Sequence, residues 1–277
     1  MTIKPTAAAK KAATTPVLQI SDATMAYGDK VLWTGLNLTV QPHEFIAVIG
    51  SNGSGKTSLL HAILGQEQLT AGQIRVNGKP VRRGNKNIGY IPQHRGTDAN
   101  TPMRARDLLR LGLDGHRWGL PLTGRRVTAR VNHVLDCIDG HDLADKPVGT
   151  LSGGQLQRFR VGQAVIASPD LILADEPLSA LDLQQQQAVA NLIDEERREH
   201  EAAVLFVTHD VNPILGMVDR VLYLANGQFR IGTPDAVLRS EVLSELYGTQ
   251  VDVLRNQGRI VVVGTHEHEH HPDEEWS

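Results

Sequence analysis

Eight consecutive residues carry the densest chemistry in this 277-residue chain: Gly50-Ser51-Asn52-Gly53-Ser54-Gly55-Lys56-Thr57. They fit G-x-x-x-x-G-K-[ST], in which glycines let backbone N–H groups converge on phosphate oxygens. Lys56 can reach the terminal phosphates, and the Thr57 hydroxyl can hold Mg2+. Such a cradle needs a strand to deliver the loop and a helix whose N-terminus adds partial positive charge. Both are in place. The apolar run 45–49 reads as a buried strand, and residues 57–64 read as a helix closed by Gly65.

Two further groups could act on what the loop holds. Asp175 and Glu176 end the apolar run 171–174, and Pro177 stops it. Acids at the carboxyl edge of a buried strand face the crevice where open α/β sheets bind ligands. Successive strand residues point opposite ways, which divides the labour. Asp175 would hold Mg2+, and Glu176 would orient and deprotonate an attacking water. A solvated strand-end pair is the plain alternative. Leu151-Ser152-Gly153-Gly154-Gln155 precedes a run with Leu156, Phe159 and Ile166 at helical spacing. Ser152 can cap that helix, and the two glycines allow close backbone approach. This makes a second helix start suited to an anion, with a plain structural turn as the alternative.

Composition sets the bounds. Hydrophobic residues are 40% and charged residues 21%, as in ordinary globular proteins, and the formal net charge is −3. The last thirteen residues hold five acids and no Lys or Arg, which leaves 28 basic against 26 acidic residues elsewhere. That balance gives no support to nucleic-acid binding. Cys137 is alone, so no internal disulfide can form, and a reducing compartment suits the chain. No apolar run approaches the ~20 residues needed to cross a bilayer, and no apolar signal core stands at the N-terminus. Work at a membrane would need a partner to supply the membrane part.

The elements that must position these residues follow from periodicity. Residues 1–16 read as a flexible arm. Strands are expected over 17–20, 36–40, 73–76 and 88–91, with a tight turn at Asn77-Gly78. From about 95 to 150 the alternation is broken by helical segments, 107–111 and a face made by Val127, Val131, Val134, Leu135 and Ile138. With the helix after Gln155, this reads as a helical subdomain over about 95–165. A strand at 171–174, a helix at 183–200 and a strand at 203–207 follow. Gln184–Gln187 and the subdomain's arginines (104, 106, 110, 125, 126 and 130) are expected on solvated faces. Thr233-Pro234-Asp235 opens a helix. Residues 251–255 and 259–263 flank Asn256-Gln257-Gly258 as a hairpin with a three-residue loop. The fold class is α/β: a P-loop NTPase pattern with a mostly parallel sheet, helices on both sides, an antiparallel β edge and an inserted helical subdomain.

Phosphate loop, Leu151–Gln155 string, acidic strand end, Ser179-Ala180-Leu181-Asp182 and His209 stand in the order and spacing of an ATP-binding cassette. Over about residues 17–232 the chain resembles the ABC transporter ATPases. The resemblance implies ATP and Mg2+ as ligands, a loop contact extended to Ser58, and an adenine-stacking role for Tyr27. It implies that Gln93, after Ile91-Pro92, contacts Mg2+ and water, and that His209 contacts the γ-phosphate. It implies a homodimer packed head to tail, in which Leu151, Ser152, Gly153, Gly154, Gln155 and Asp182 close on the ATP of the other copy. It further implies integral membrane permease subunits that dock on the helical subdomain, an extracytoplasmic substrate-binding protein, and a cytoplasmic position on the inner membrane face.

Within a C-terminal helix and hairpin extension, 233–264, the segment 240–264, with Leu246-Tyr247-Gly248 and then the hairpin, is similar to the C-terminal extension of bacterial zinc, manganese and iron uptake ATPases, which implies a divalent metal cargo. Beyond lies a tail, 265–277, with His266, His268, His270 and His271 among carboxylates. Such donors suit Zn2+ or another borderline divalent metal, as a sensor or buffer. A plain acidic tail and an expression remnant are the competing readings. For the whole chain, the alternatives are an importer ATPase for another small substrate and a soluble cassette with no transport role.

Overall fold

Side-chain alternation decides which strands lie half-exposed and which are enclosed. The computed structural model describes residues 15–93, 102–115, 124–179 and 181–264. β1 (Leu18–Tyr27) and β2 (Lys30–Val40) pair antiparallel and alternate buried with exposed positions. β3 (Phe45–Gly50) is enclosed on both faces through Ile49 and leads into the glycine loop and α1 (Lys56–Ile63). β4 (Ala71–Val76) returns beside β1. It turns through Asn77-Gly78, both at positive φ, into β5 (Lys79–Pro80). After β6 (Ile88–Ile91) come α2 (Ala105–Asp114), α3 (Arg125–Cys137) and α4 (Gly153–Val165). The chain then alternates β7 (Leu171–Asp175), α5 (Leu183–Glu199) and β8 (Ala203–Val207). β9 (Arg220–Ala225), β10 (Gln228–Gly232), α6 (Pro234–Val237), α7 (Ser240–Tyr247), β11 (Val251–Asn256) and β12 (Arg259–Gly264) complete it.

The central sheet has the order β10-β9-β3-β8-β7-β6, with every pairing parallel except β10 on β9. The antiparallel strands form a sheet of their own, β2-β1-β4-β5. Period two along β3 divides the core. Phe45, Ala47 and Ile49 join α3, α4 and α5 on one side, while Ile46 and Val48 join α1 and the antiparallel sheet on the other. Phe45 stacks on Phe206 of β8 with ring centroids 5.6 Å apart. The central sheet is thus the middle of three layers, and its carboxyl edge carries the glycine loop.

Several expectations from sequence need correction. The hairpin loop has two residues, because Asn256 pairs with Arg259, and Gln257-Gly258 turn at φ 47° and 76°. α4 is not one-sided: Gln157 and Arg158 are buried along with Leu156 and Phe159. Arg158 Nη1 donates to the carbonyls of Ile138 (2.6 Å) and Asp139 (3.2 Å), just past the end of α3. Gln186 is not on a solvated face, since its amide donates to the carbonyls of Leu178 and Leu181. Arg130 also turns inward, to the buried Glu196 and the carbonyls of Val165 and Ile166. β9, β10 and α7 have no counterpart among the expected elements. A six-residue run such as Arg220–Ala225 fits strand or buried helix equally well by periodicity alone.

Gly72 tests the fit of the antiparallel sheet away from the phosphate loop. It sits at φ 84°, and a Cβ there would lie 2.3 Å from the Asp22 carbonyl oxygen. Gly72→Ala is expected to lower unfolding free energy by roughly 2–3 kcal/mol, read as an earlier urea midpoint.

Candidate functional site

The loop is built by close backbone approach. At Gly50, the last residue of β3, an added Cβ would lie 2.0 Å from the Leu224 carbonyl oxygen of β9. At Gly55, with φ 93°, it would lie 2.8 Å from Trp33 Nε1. No other residue fits either place. Asn52 and Gly53 are exposed at the loop's crest, and Ser51 is half-buried. Ser54 is buried, and its Oγ has no hydrogen-bond partner in the protein. A buried orphan hydroxyl of this kind calls for a ligand or another explanation. Lys56 is 7% exposed and its Nζ donates to the carbonyls of Gly50 (2.8 Å) and Ser51 (2.9 Å), so the ammonium lies within the loop. Burial holds its pKa below the ordinary lysine value, while the charges of Glu176 and Asp175 oppose that shift.

The two acids arrive from β7 by different means. Asp175 is buried at the strand's end, and its Oδ1 accepts from the Thr57 hydroxyl at 3.3 Å. Burial raises its pKa, the Thr57 bond lowers it, and the Glu176 charge raises it again. Glu176 lies past the strand in the left-handed region, at φ 49°. Strand alternation therefore does not aim it; a strained residue does. Its N–H donates to Val207 at 3.0 Å, and its carbonyl accepts from the Ser179 N–H and hydroxyl. Those bonds hold the strain in place. Gln93 Nε2 donates to Glu176 Oε2 at 2.9 Å.

Two clefts meet at this edge. One is lined by Thr57, Asp175 and Gln93 with His61, Tyr90 and Arg160; the other by Glu176, Ser179, Gln186, Thr208 and His209. The Gln93–Glu176 bond joins them. Tyr27 is 50% exposed, and its hydroxyl donates to Glu67 and lies 3.2 Å from Ser58 Oγ. A further cleft, about 560 Å3, opens at Ile88 and Asp170, at the opposite ends of the strands, and is lined by none of these residues.

Leu151 to Gln155 stand apart. Ser152 Oγ accepts from the Gln155 N–H at 3.3 Å, and Gln155 Oε1 accepts from the Ser152 N–H at 2.9 Å. This reciprocal capping box starts α4 at Gly153 and Gly154. Asp182 caps α5, accepting from the Gln185 N–H at 2.8 Å. Among the described residues no hydrogen bond joins 151–155 or Asp182 to the phosphate loop. His266, His268, His270 and His271 lie outside the described residues.

Three neighbours of the site were not legible in sequence. Glu67 meets Tyr27, and Arg160 lines the Thr57 cleft. Asn212, three residues after His209, exchanges two hydrogen bonds with Ile260 of β12, at 2.7 and 2.9 Å. None sits in a motif; contact across the fold alone reveals them. The backbone strain at Glu176 gives a direct test. Asn tolerates the left-handed region better, so Glu176→Asn is expected to raise unfolding free energy by about 0.5–1 kcal/mol. Paired chemical denaturation curves would read the difference.

Comparison with known proteins places this geometry. Residues 33–179 match the ABC transporter family. The chain is 30% identical over 235 residues to the zinc import ATP-binding protein ZnuC of Hydrogenovibrio crunogenus, covering 85% of this chain and 89% of that one. It is similar to a solved ABC transporter in an inward-facing conformation, at 25% identity and TM-score 0.74 over 91% of this chain and 98% of that one. It is also similar, at 25% identity and TM-score 0.67 over 78% and 98%, to a dimeric ATP-binding cassette in a post-hydrolysis state with ADP and Pi. The chain belongs to the ABC transporter family.

Proposed function

We propose that this chain is the ATP-hydrolysing subunit of a bacterial importer for a divalent metal ion, zinc before manganese. The observation that carries the reading is the convergence of Lys56, Thr57, Asp175, Gln93 and Glu176 at one edge of the central sheet. The loop from Gly50 through Ser51, Asn52, Gly53, Ser54, Gly55 and Lys56 to Thr57 and Ser58 holds the phosphates by backbone N–H groups and the lysine. Tyr27 offers its exposed ring to adenine. Thr57, Asp175 and Gln93 would hold Mg2+, and their hydroxyl, carboxylate and amide oxygens are the hard donors it prefers. When bound, Mg2+ neutralises charge on the β- and γ-phosphates. Glu176, steadied by Gln93, takes the proton of the attacking water, and His209 across the same cleft holds a γ-phosphate oxygen.

Leu151, Ser152, Gly153, Gly154, Gln155 and Asp182 act in a second copy. Head-to-tail pairing brings them to the loop they do not reach within one chain, and excludes water from the reaction. The dimeric cassette with ADP and Pi supports this arrangement. Residues 17–232 form the ATP-binding body, 95–165 its helical subdomain and 233–264 a C-terminal extension.

No helix among the described residues is long and apolar enough to cross a membrane. Permease subunits therefore supply the passage, with a substrate-binding protein outside and this subunit on the cytoplasmic face. The name of the relative from Hydrogenovibrio supports zinc as cargo. The tail histidines 266, 268, 270 and 271 would sample the incoming ion.

Lys56→Ala is expected to lose nucleotide binding in a fluorescent-ATP titration. Glu176→Gln should bind ATP, turn over about 10²–10⁴-fold more slowly, and accumulate a dimer in light scattering. Near-normal turnover would take the base role from Glu176. With the native permease in vesicles, labelled zinc should accumulate in an ATP-dependent way; uptake of neither zinc nor manganese would overturn the cargo.

A further inference from the structure

The chain's one cysteine lies in a cluster that the phosphate site does not use. Cys137 is the last residue of α3 and His133 lies one turn before it, so both fall on the same helix face. That face meets Glu195 of α5. Cys137 Sγ is 3.8 Å from His133 Nε2 and 3.7 Å from Glu195 Oε2, and His133 Nε2 is 3.3 Å from Glu195 Oε1. One ligand atom from each lies within 4.8 Å of the other two.

Those separations have a chemical meaning. A tetrahedral ion with Zn–N, Zn–O and Zn–S bonds of ~2.0–2.3 Å sets its donors about 3.3–3.8 Å apart. The two contacts to Glu195 fall on its two different oxygens. With one oxygen as ligand the three donors lie within 4.8 Å of one another, near one face of such a tetrahedron, and a small turn of the carboxylate completes it. Imidazole, thiolate and carboxylate together form a borderline-soft donor set, which favours Zn2+ and its neighbours over Mg2+ or Ca2+. All three residues are half-buried, so an ion can enter from solvent. The adjacent cation, Arg130, is hydrogen-bonded to Glu196, Ser168 and two main-chain carbonyls rather than to the three donors, and its charge favours the Cys137 thiolate.

The geometry points to a second cation site: His133, Cys137 and Glu195 form a three-donor site for Zn2+ or a similar divalent ion, with water in the fourth position. On binding, the Cys137 thiol forms an S–metal bond and releases its proton to solvent. The ion would clip α3, in the helical layer, to α5. The site stands whatever the transporter carries.

Co2+ is a suitable probe in the full-length protein. One equivalent is expected to give a near-ultraviolet thiolate-to-cobalt band that Zn2+ bleaches. The chain has one cysteine, so the band reports this place alone, and the tail histidines cannot produce it. Cys137→Ser should abolish the band and leave ATP turnover in chelator-treated buffer unchanged. His133→Ala and Glu195→Gln should each weaken cobalt affinity by about tenfold or more, the scale on which even outer-shell partners act. In the unmodified protein, Zn2+ should slow iodoacetamide labelling of Cys137, and EDTA should restore it. No band at saturating cobalt, an undiminished affinity in both variants, or labelling indifferent to Zn2+ would each overturn the site.

Discussion

The phosphate site depends on how closely the chain passes itself at Gly50. β3 runs between β8 and β9, and its last residue leaves the sheet against the Leu224 carbonyl with no room for a side chain. The loop therefore starts from a fixed point. Gly55 against Trp33 fixes its other end, and α1 begins one residue later. Between these two contacts the amides and the buried Ser54 have little freedom, and Lys56 follows directly on the second. This is preorganisation in a literal sense: the backbone is ordered by packing rather than by what it binds.

The acidic edge is organised by a different rule. Asp175 keeps the strand's geometry and turns inward to Thr57. Glu176 leaves that geometry through a left-handed backbone, clamped from Val207 and Ser179. Two neighbouring carboxylates thus line two different clefts, with Gln93 between them. The sheet supplies position and one strained residue supplies direction.

Sequence was most legible where a constraint is local. The glycine loop, the helix cap at Ser152 and the enclosed run 203–207 each announce themselves in a few residues, and β8 spans those same residues. The face of α3 was legible too, since Val131, Val134, Leu135 and Ile138 are all buried. Length was harder. β1 and β2 continue well beyond 17–20 and 36–40, across register shifts that break simple alternation. Hardest were polar residues turned inward by contacts outside any motif. Arg130 and Gln186 were expected on solvated faces, and carbonyls left over at helix ends and turns, with Glu196 for Arg130, draw them inward. The left-handed Glu176 had no signal at all, because glutamate does not favour that region.

The paired bonds between Asn212 and Ile260 have one more implication. They fasten the outer hairpin to the short stretch that begins at His209, much as a guy rope steadies a mast from outside its footing. Residues 251–264 therefore serve as a brace as well as an appendage. Shortening the chain there would strip Asn212 of both its bonds to Ile260, leave it only its local bonds to Asp210, and slacken a segment that borders the reaction, far from the cut itself.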